Sequence, residues 1–299
     1  MRLVFVHGIN NETYTVKEIE TRWMTALQAG WQDLGLTPKK SFTVHTAYYA
    51  DTLAQASTQG NAVVEMGDGQ VSSGLAIEFL RTYAEEAGIT EEELQAAAAE
   101  EGLPLQAVAQ GVPHEGWVIA FANVLERLLP TKGKYIAKLF LKQASVYIGD
   151  PALAAKIDAK VKEQVLEDKF DSAIVIGHSL GSVVSYRLLA SESLANYKFP
   201  LFVTLGSPLS VAIFRPILPK RGTLPTPPIQ RWINGRNKED FITLGKAIVK
   251  KSIGFDGVED ITEVIDNKDN RHDIVAYLRS PKIAQAIYDA IHAQPAKNP

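Results

Sequence analysis

The sequence predicts an α/β protein: a mostly parallel, open sheet of about six strands flanked by helices, interrupted by a helical insertion. Three observations carry this expectation. Short apolar runs at Leu3 to Val6, Ala173 to Ile176 and Leu201 to Leu205 are rich in β-branched or aromatic residues, and each meets a glycine within two residues of its end. Such runs mark strands buried on both faces of a parallel sheet. Helical patterns lie between the strand candidates, so the chain reads as successive strand–helix–strand units. The stretch from 56 to 165 breaks this rhythm, with no convincing strand.

In chain order, Leu3 to Val6 opens the fold as a strand. A helix follows over Thr15 to Leu34, then a weaker strand over Phe42 to Tyr49. In the insertion, Glu91 to Ala99 has high helix propensity. Thr90 and Glu93 stand at the spacing of a capping box. Trp117 to Leu129 and Tyr135 to Ile148 read as amphipathic helices, and Gly67-Asp68-Gly69 and Gly111-Val112-Pro113 as breaks. This gives a core of residues 1–55 and 166–299 and a helical cap of 56–165. The cap is read as a lid, because α/β proteins build pockets beyond the C-terminal ends of their strands; plain bundle packing is the alternative. Beyond Ala173 to Ile176 come a helix over Gly181 to Glu192, the strand Leu201 to Leu205, and a proline-rich loop, Gly222 to Pro228. Weaker strands at Gln230 to Asn234 and Asp260 to Asp266, a helix over Asp273 to Leu278 and a terminal helix complete the chain.

Composition narrows the function. The chain has 299 residues with 31 Lys and Arg against 34 Asp and Glu, a net charge of −3. That balance gives no electrostatic case for nucleic acid. Lys246, Lys250 and Lys251 read as one solvated helix face. Cysteine is absent, which excludes disulfides, thiolate metal sites and a cysteine nucleophile and suits a reducing compartment. The apolar run after Met1 is too short for a secretion signal, and no 18-residue apolar window exists for a spanning helix; a cytoplasmic location is expected. Dinucleotide, P-loop and zinc-ligand spacings do not occur, so no cofactor and no metal are expected.

The chemistry concentrates at Gly177-His178-Ser179-Leu180-Gly181, a G-x-S-x-G sequence. A strand precedes it and a helix follows, the context in which this spacing lifts a serine hydroxyl onto a tight bend. Ser179 is the candidate nucleophile, and a hydroxyl needs a base. Of six histidines, only His272 and His292 follow Ser179. His292 sits near the end of the terminal helix and reads as part of a solvated face. His272 ends a polar loop after the last strand candidate and is the candidate base. The acid that orients it should follow the strand at Gln230 to Asn234. Asp240 is favoured, with Glu239, Asp266 and Asp269 as alternatives. Two N–H groups must receive the developing oxyanion. Leu180 supplies one, and Ile9, in the loop after the first strand, supplies the other. Gly8 lets that loop approach closely, and His7 reads as a residue orienting it.

Val6-His7-Gly8-Ile9, the G-x-S-x-G segment, Leu205-Gly206-Ser207-Pro208-Leu209 and Trp232-Ile233-Asn234 together resemble the α/β-hydrolase superfamily. The flavour is similar to that of lipase-like serine esterases of the lecithin-acyltransferase and GPI-inositol-deacylase kind. The resemblance covers roughly residues 1–50 and 166–280. It implies Ser179 as nucleophile, His272 as base, Asp240 as acid, and an open sheet whose catalytic edge the insertion covers. Two departures stand out. The family's first antiparallel hairpin is absent, and the spacing after Trp-x-Asn leaves Glu239 open beside Asp240. The expected activity is hydrolysis of a carboxylic ester, either a small molecule or a lipid, with peripheral membrane contact through Trp117 to Leu129. Amide or thioester cleavage by the same triad, and a non-catalytic binding protein on the same fold, are the competing readings. Acyl length and oligomeric state are not legible in the sequence.

Overall fold

The computed structural model describes residues 1–65, 82–100, 134–167, 169–190, 194, 196–219, 229–254 and 256–293. Six strands form one sheet: β1 (Arg2–Val6), β2 (Thr43–Ala47), β3 (Ser172–His178), β4 (Lys198–Leu205), β5 (Trp232–Gly235) and β6 (Val258–Ile261). Their order is β2-β1-β3-β4-β5-β6, and every pairing is parallel. The protein is an α/β fold on an open parallel sheet.

Alternation along the strands builds two cores. Leu3 and Phe5 of β1 face one side of the sheet, and Val4 and Val6 the other. The first side is covered by α1 (Val16–Asp33), α8 (Ile274–Arg279) and α9 (Pro281–His292), which bring Trp23, Leu27, Trp31, Tyr277 and Ile287. The second is covered by α2 (Ala50–Glu65), α4 (Lys134–Gly149), α5 (Pro151–Leu166) and α6 (Leu180–Leu189). A further helix, α3 (Glu91–Glu100), carries exposed residues along much of its length, and α7 (Lys250–Ile253) is a single turn. The chain marks its own helix starts. Thr15 caps α1 through a reciprocal pair with Glu18. The pair of Thr90 and Glu93 does the same for α3, and Asp150 caps α5 ahead of Pro151.

Strand ends differ from the sequence expectation wherever side chains take over backbone donors. Beyond Ala47, the Tyr48 N–H turns to Gln164 Oε1 (2.7 Å) and the Tyr49 N–H to His7 Nε2 (3.3 Å). The segment expected as strand to Asp266 leaves the sheet after Ile261, and the Ile265 N–H binds Ser280 Oγ (2.8 Å). Two surface readings are corrected. Lys246 precedes α7 and pairs with Glu86, so it shares no helix face with Lys250 and Lys251. His292 is half-buried and not simply solvated: it stacks on Tyr288, bonds the Tyr288 carbonyl through Nδ1 and accepts the Lys39 N–H at Nε2.

Within the stretch read as an insertion, α3 and α4 match the expected helices. Trp117 to Leu129, the breaks at Gly67 and Gly111 and the loop Gly222 to Pro228 lie outside the described residues. The last helix of that stretch, α5, is a sheet-covering helix: Ile157, Val161 and Val165 share a core with Val4 and Val175.

The strand order fixes where a site belongs. From β1 the chain runs one way to β2, while β3 lies on the opposite side of β1. The two loops leaving β1 and β3 therefore diverge and open a crevice at their C-terminal ends, the position where open α/β sheets place ligands.

Candidate active site

Ser179 sits at that crevice. Its backbone adopts φ 55° and ψ −131°, a conformation that a residue with a side chain rarely holds. Three contacts enforce it. The Ser179 N–H donates to Leu205 O on the neighbouring strand (2.9 Å). The Ser179 carbonyl accepts the Ser182 N–H (3.0 Å) and the Ser182 hydroxyl (2.6 Å). Because Ser182 Oγ donates to a carbonyl, its 2.7 Å contact with Ser207 Oγ is a hydrogen bond from Ser207. Ser207, from the Gly-Ser-Pro-Leu segment, thus props the bend through Ser182.

The glycines of the motif are sites of close approach. A Cβ on Gly181 would overlap the backbone of His7, and one on Gly177 would lie 2.7 Å from Ser182 Cα. A Cβ on Gly8 would lie 2.9 Å from His178 O and 3.0 Å from Ser179 Oγ. The loop after β1 therefore rests directly on the serine. His7 holds that loop: its Nδ1–H donates to Gly8 O (2.7 Å), its Nε2 accepts from Tyr49, and its ring stacks on Tyr49 at 4.4 Å. Burial pulls its pKa down to about 4, against the raising effect of the Gly8 bond, so the ring is neutral at pH 7. Asn11 Nδ2 braces the loop from the other side, donating to Ile9 O (2.7 Å). Ile9 thereby follows a residue in contact with Ser179, and Leu180 opens α6, where a first-turn N–H has no intrahelical acceptor.

His272 Nδ1 lies 2.7 Å from Asp240 Oδ2, with both side chains buried. The carboxylate also receives the Tyr277 hydroxyl at Oδ2 (2.8 Å) and the Ile242 N–H at Oδ1 (3.0 Å). Tyr277 in turn accepts the Asn237 N–H (3.0 Å). Burial, together with the charge of Asp240, holds the Tyr277 hydroxyl well above its usual pKa, which keeps it a donor. The other candidate acids lie elsewhere. Glu239 is exposed and pairs with Arg271 (2.6 Å). Asp266 bonds Asn237 and Arg271, and Asp269 is in a turn whose N–H bonds Asn267.

Two residues next to the serine bend pack against the imidazole. Gly206, one residue beyond the carbonyl that holds Ser179, has φ 54°, and a Cβ there would lie 2.8 Å from His272 Cε1. His178, the residue before the serine, stacks on the His272 ring at 4.4 Å and donates Nε2–H to the His272 carbonyl (3.0 Å). Burial, and then the nearby His272, drive the His178 pKa well below the ordinary range, so this second ring is a neutral support. Ser179 Oγ and His272 Nε2 are both buried, and neither has a hydrogen-bond partner among the described residues. Buried polar atoms are seldom left so. A cavity of about 80 Å³ opens beside His272, bordered by Ile9, Asn10, Trp23, His178 and Asn270.

The structure joins His272 to Asp240, rests Gly8 on Ser179 and stacks His178, the residue before the serine, on the His272 ring, while His292 lies on α9 against Lys39 and Tyr288. Sequence reasoning did not assign the anchoring role of His178 or the second donor Tyr277. It also gave Ser182 no role, and Ser207 only as part of a supportive motif. Among the described residues no cluster of His, Cys, Asp and Glu could hold a metal ion, and no helix is long and apolar enough to cross a membrane. No protein-family model, no curated protein and no solved structure matches this chain.

Proposed function

We propose that the protein is a serine hydrolase of the α/β-hydrolase type, cleaving a carboxylic ester of a small molecule or lipid. One observation carries the reading: a serine forced into a strained bend has a buried, unpartnered hydroxyl, beside a His–Asp pair whose distal nitrogen is also unpartnered. A hydrogen bond that both atoms lack is the one they form with each other and a substrate in the reacting complex, since such bonds tighten only there.

In this reading His272 Nε2 takes the Ser179 proton as Oγ attacks the ester carbonyl carbon. The oxyanion of the tetrahedral intermediate is received by the N–H groups of Ile9 and Leu180. Its collapse breaks the carbon–oxygen bond to the alcohol, which leaves with the proton returned by His272. Water then attacks the acyl-enzyme, giving its proton to His272, and the carboxylic acid departs as Ser179 is reprotonated. Asp240 keeps Nδ1 protonated and stabilises the imidazolium without itself being protonated. The absence of cysteine suits work in a reducing compartment such as the cytoplasm.

The test is fluorophosphonate labelling together with turnover of p-nitrophenyl esters of graded chain length, with a thioester and an anilide alongside. Labelling should occur on Ser179, and Ser179→Ala should lose it and lower kcat by on the order of 10⁶. Equal labelling of the wild type and the variant overturns the proposal.

A further inference from the structure

Asp240 is held at both oxygens, and the hold on Oδ1 leads to a helical segment at 82–87. The Ile242 N–H that donates to Oδ1 belongs to the peptide group joining Phe241 to Ile242. The carbonyl of that same peptide group, Phe241 O, lies 2.6 Å from the Tyr83 hydroxyl, which also lies 2.7 Å from Ile242 O. Tyr83 is fully buried, in a helical segment at 82–87 within the stretch between β2 and β3. Its ring stands edge-on to Phe140 of α4, which stands edge-on to Phe241. Three residues along the same segment, Glu86 pairs with Lys246 at the far end of the acid loop and accepts the Ala212 N–H (2.9 Å). The segment is thus fastened to the loop 240–246 at two points.

We propose that Tyr83 is a positioning residue for the triad acid. The single Tyr83 O–H proton is shared between the Phe241 and Ile242 carbonyls in a three-centre bond, and the amide N–H of the peptide group that carries Phe241 O donates to Asp240 Oδ1. Hydrogen bonds in series through one peptide group polarise each other, so the donor at one end strengthens and orients the bond at the other. Tyr83 remains a donor because burial, and then the charges of Asp240 and Glu86, lift its pKa well above the usual value. Tyr277 grips Oδ2 directly and Tyr83 grips Oδ1 through the backbone, so the carboxylate is fixed in its plane against His272. The helical segment at 82–87 is therefore part of the triad's support.

The inference rests on the proposed hydrolase reading for its kinetic arm, and its second arm stands apart from activity. Tyr83→Phe removes only the hydroxyl; Phe140→Leu loosens the same packing and keeps the hydroxyl. In ¹⁵N-histidine-labelled protein, the low-field proton between His272 Nδ1 and Asp240 should move upfield in Tyr83→Phe and exchange several-fold faster with water, while Phe140→Leu leaves it in place. On the best ester, Tyr83→Phe should lower kcat by roughly three- to tenfold with KM little changed, the signature of an interaction felt in the transition state. A low-field proton identical in wild type and Tyr83→Phe overturns the positioning role whatever the kinetics. A proton that shifts as expected in a protein that no fluorophosphonate labels supports the positioning role and removes the hydrolase reading instead.

Discussion

At Ser179 local preference and tertiary structure disagree. Its φ of 55° with ψ of −131° lies where glycine alone is comfortable, and residues held in such regions cost about 1–3 kcal/mol each. Leu205, Ser182 and Ser207 supply the restraint. Ser179→Gly should therefore be more stable than Ser179→Ala by about 1–2 kcal/mol in urea unfolding, although both lose the hydroxyl. Equal stabilities would show that the bend carries no strain. The sequence made the strained serine bend legible because glycines at fixed offsets answer a steric demand: Gly8, Gly177 and Gly181 each touch backbone or side chain where a Cβ has no room. It made Asp240 only one acid among four, because the choice depends on which carboxylate faces Nδ1. His178 and Tyr83 carried no signal of their roles. A histidine beside a serine, or a tyrosine in an alanine- and glutamate-rich segment, has no local pattern that announces a partner 94 or 158 residues away.

At the scale of elements, the strands were legible in their cores and not at their ends. The apolar runs of β1, β3 and β4 are buried on both faces, so composition alone betrays them. The ends of β2 and β6 are set by Gln164, His7 and Ser280, which lie distant in sequence. Helix–helix joints of the same long-range kind hold the second face together. Arg187 of α6 donates Nε–H to Asp158 of α5 (2.8 Å) and reaches the Ile217 carbonyl, while Tyr147 of α4 donates to the other oxygen of Asp158 (3.0 Å). One carboxylate thus joins three helices. Burial raises the Asp158 pKa, and Arg187 is its principal counterweight. Arg187→Met keeps the packing of the stem but leaves Asp158 short of its cation. Unfolding free energy should fall by about 2 kcal/mol, less than for a fully buried pair because both side chains keep some contact with solvent. Asp158→Asn added to that variant should recover part of the loss, and a double variant as unstable as the sum of the singles would argue against the pair.

Among the described residues, His7 and His178 are buried imidazoles that burial holds neutral. For His7 the folded pKa is about 4, against about 6.5 in the unfolded chain, with Asp51 slightly raising it and Lys160 slightly lowering it. Between those values the unfolded state binds a proton that the folded state refuses, so stability rises with pH across the window and is lost on acidification through it. His178 acts in the same direction. His7 alone should account for roughly 3 kcal/mol of lost stability between pH 6.5 and pH 4. Urea midpoints measured at steps of half a pH unit check this, and a flat profile over that interval would contradict it.

The position of β1 has a consequence for how the molecule is made. Arg2–Val6 meets β2 at residues 43–47 but receives its second neighbour only at residues 173–177. At a synthesis rate of about 5–20 residues per second, the ribosome needs roughly 6 to 25 seconds to deliver that neighbour. Throughout that interval an apolar strand destined for the middle of the sheet has one flank bare. The serine bend cannot close over Gly8 until the wait is over, so the nascent chain acquires its strained bend and its last shelter for β1 in the same event.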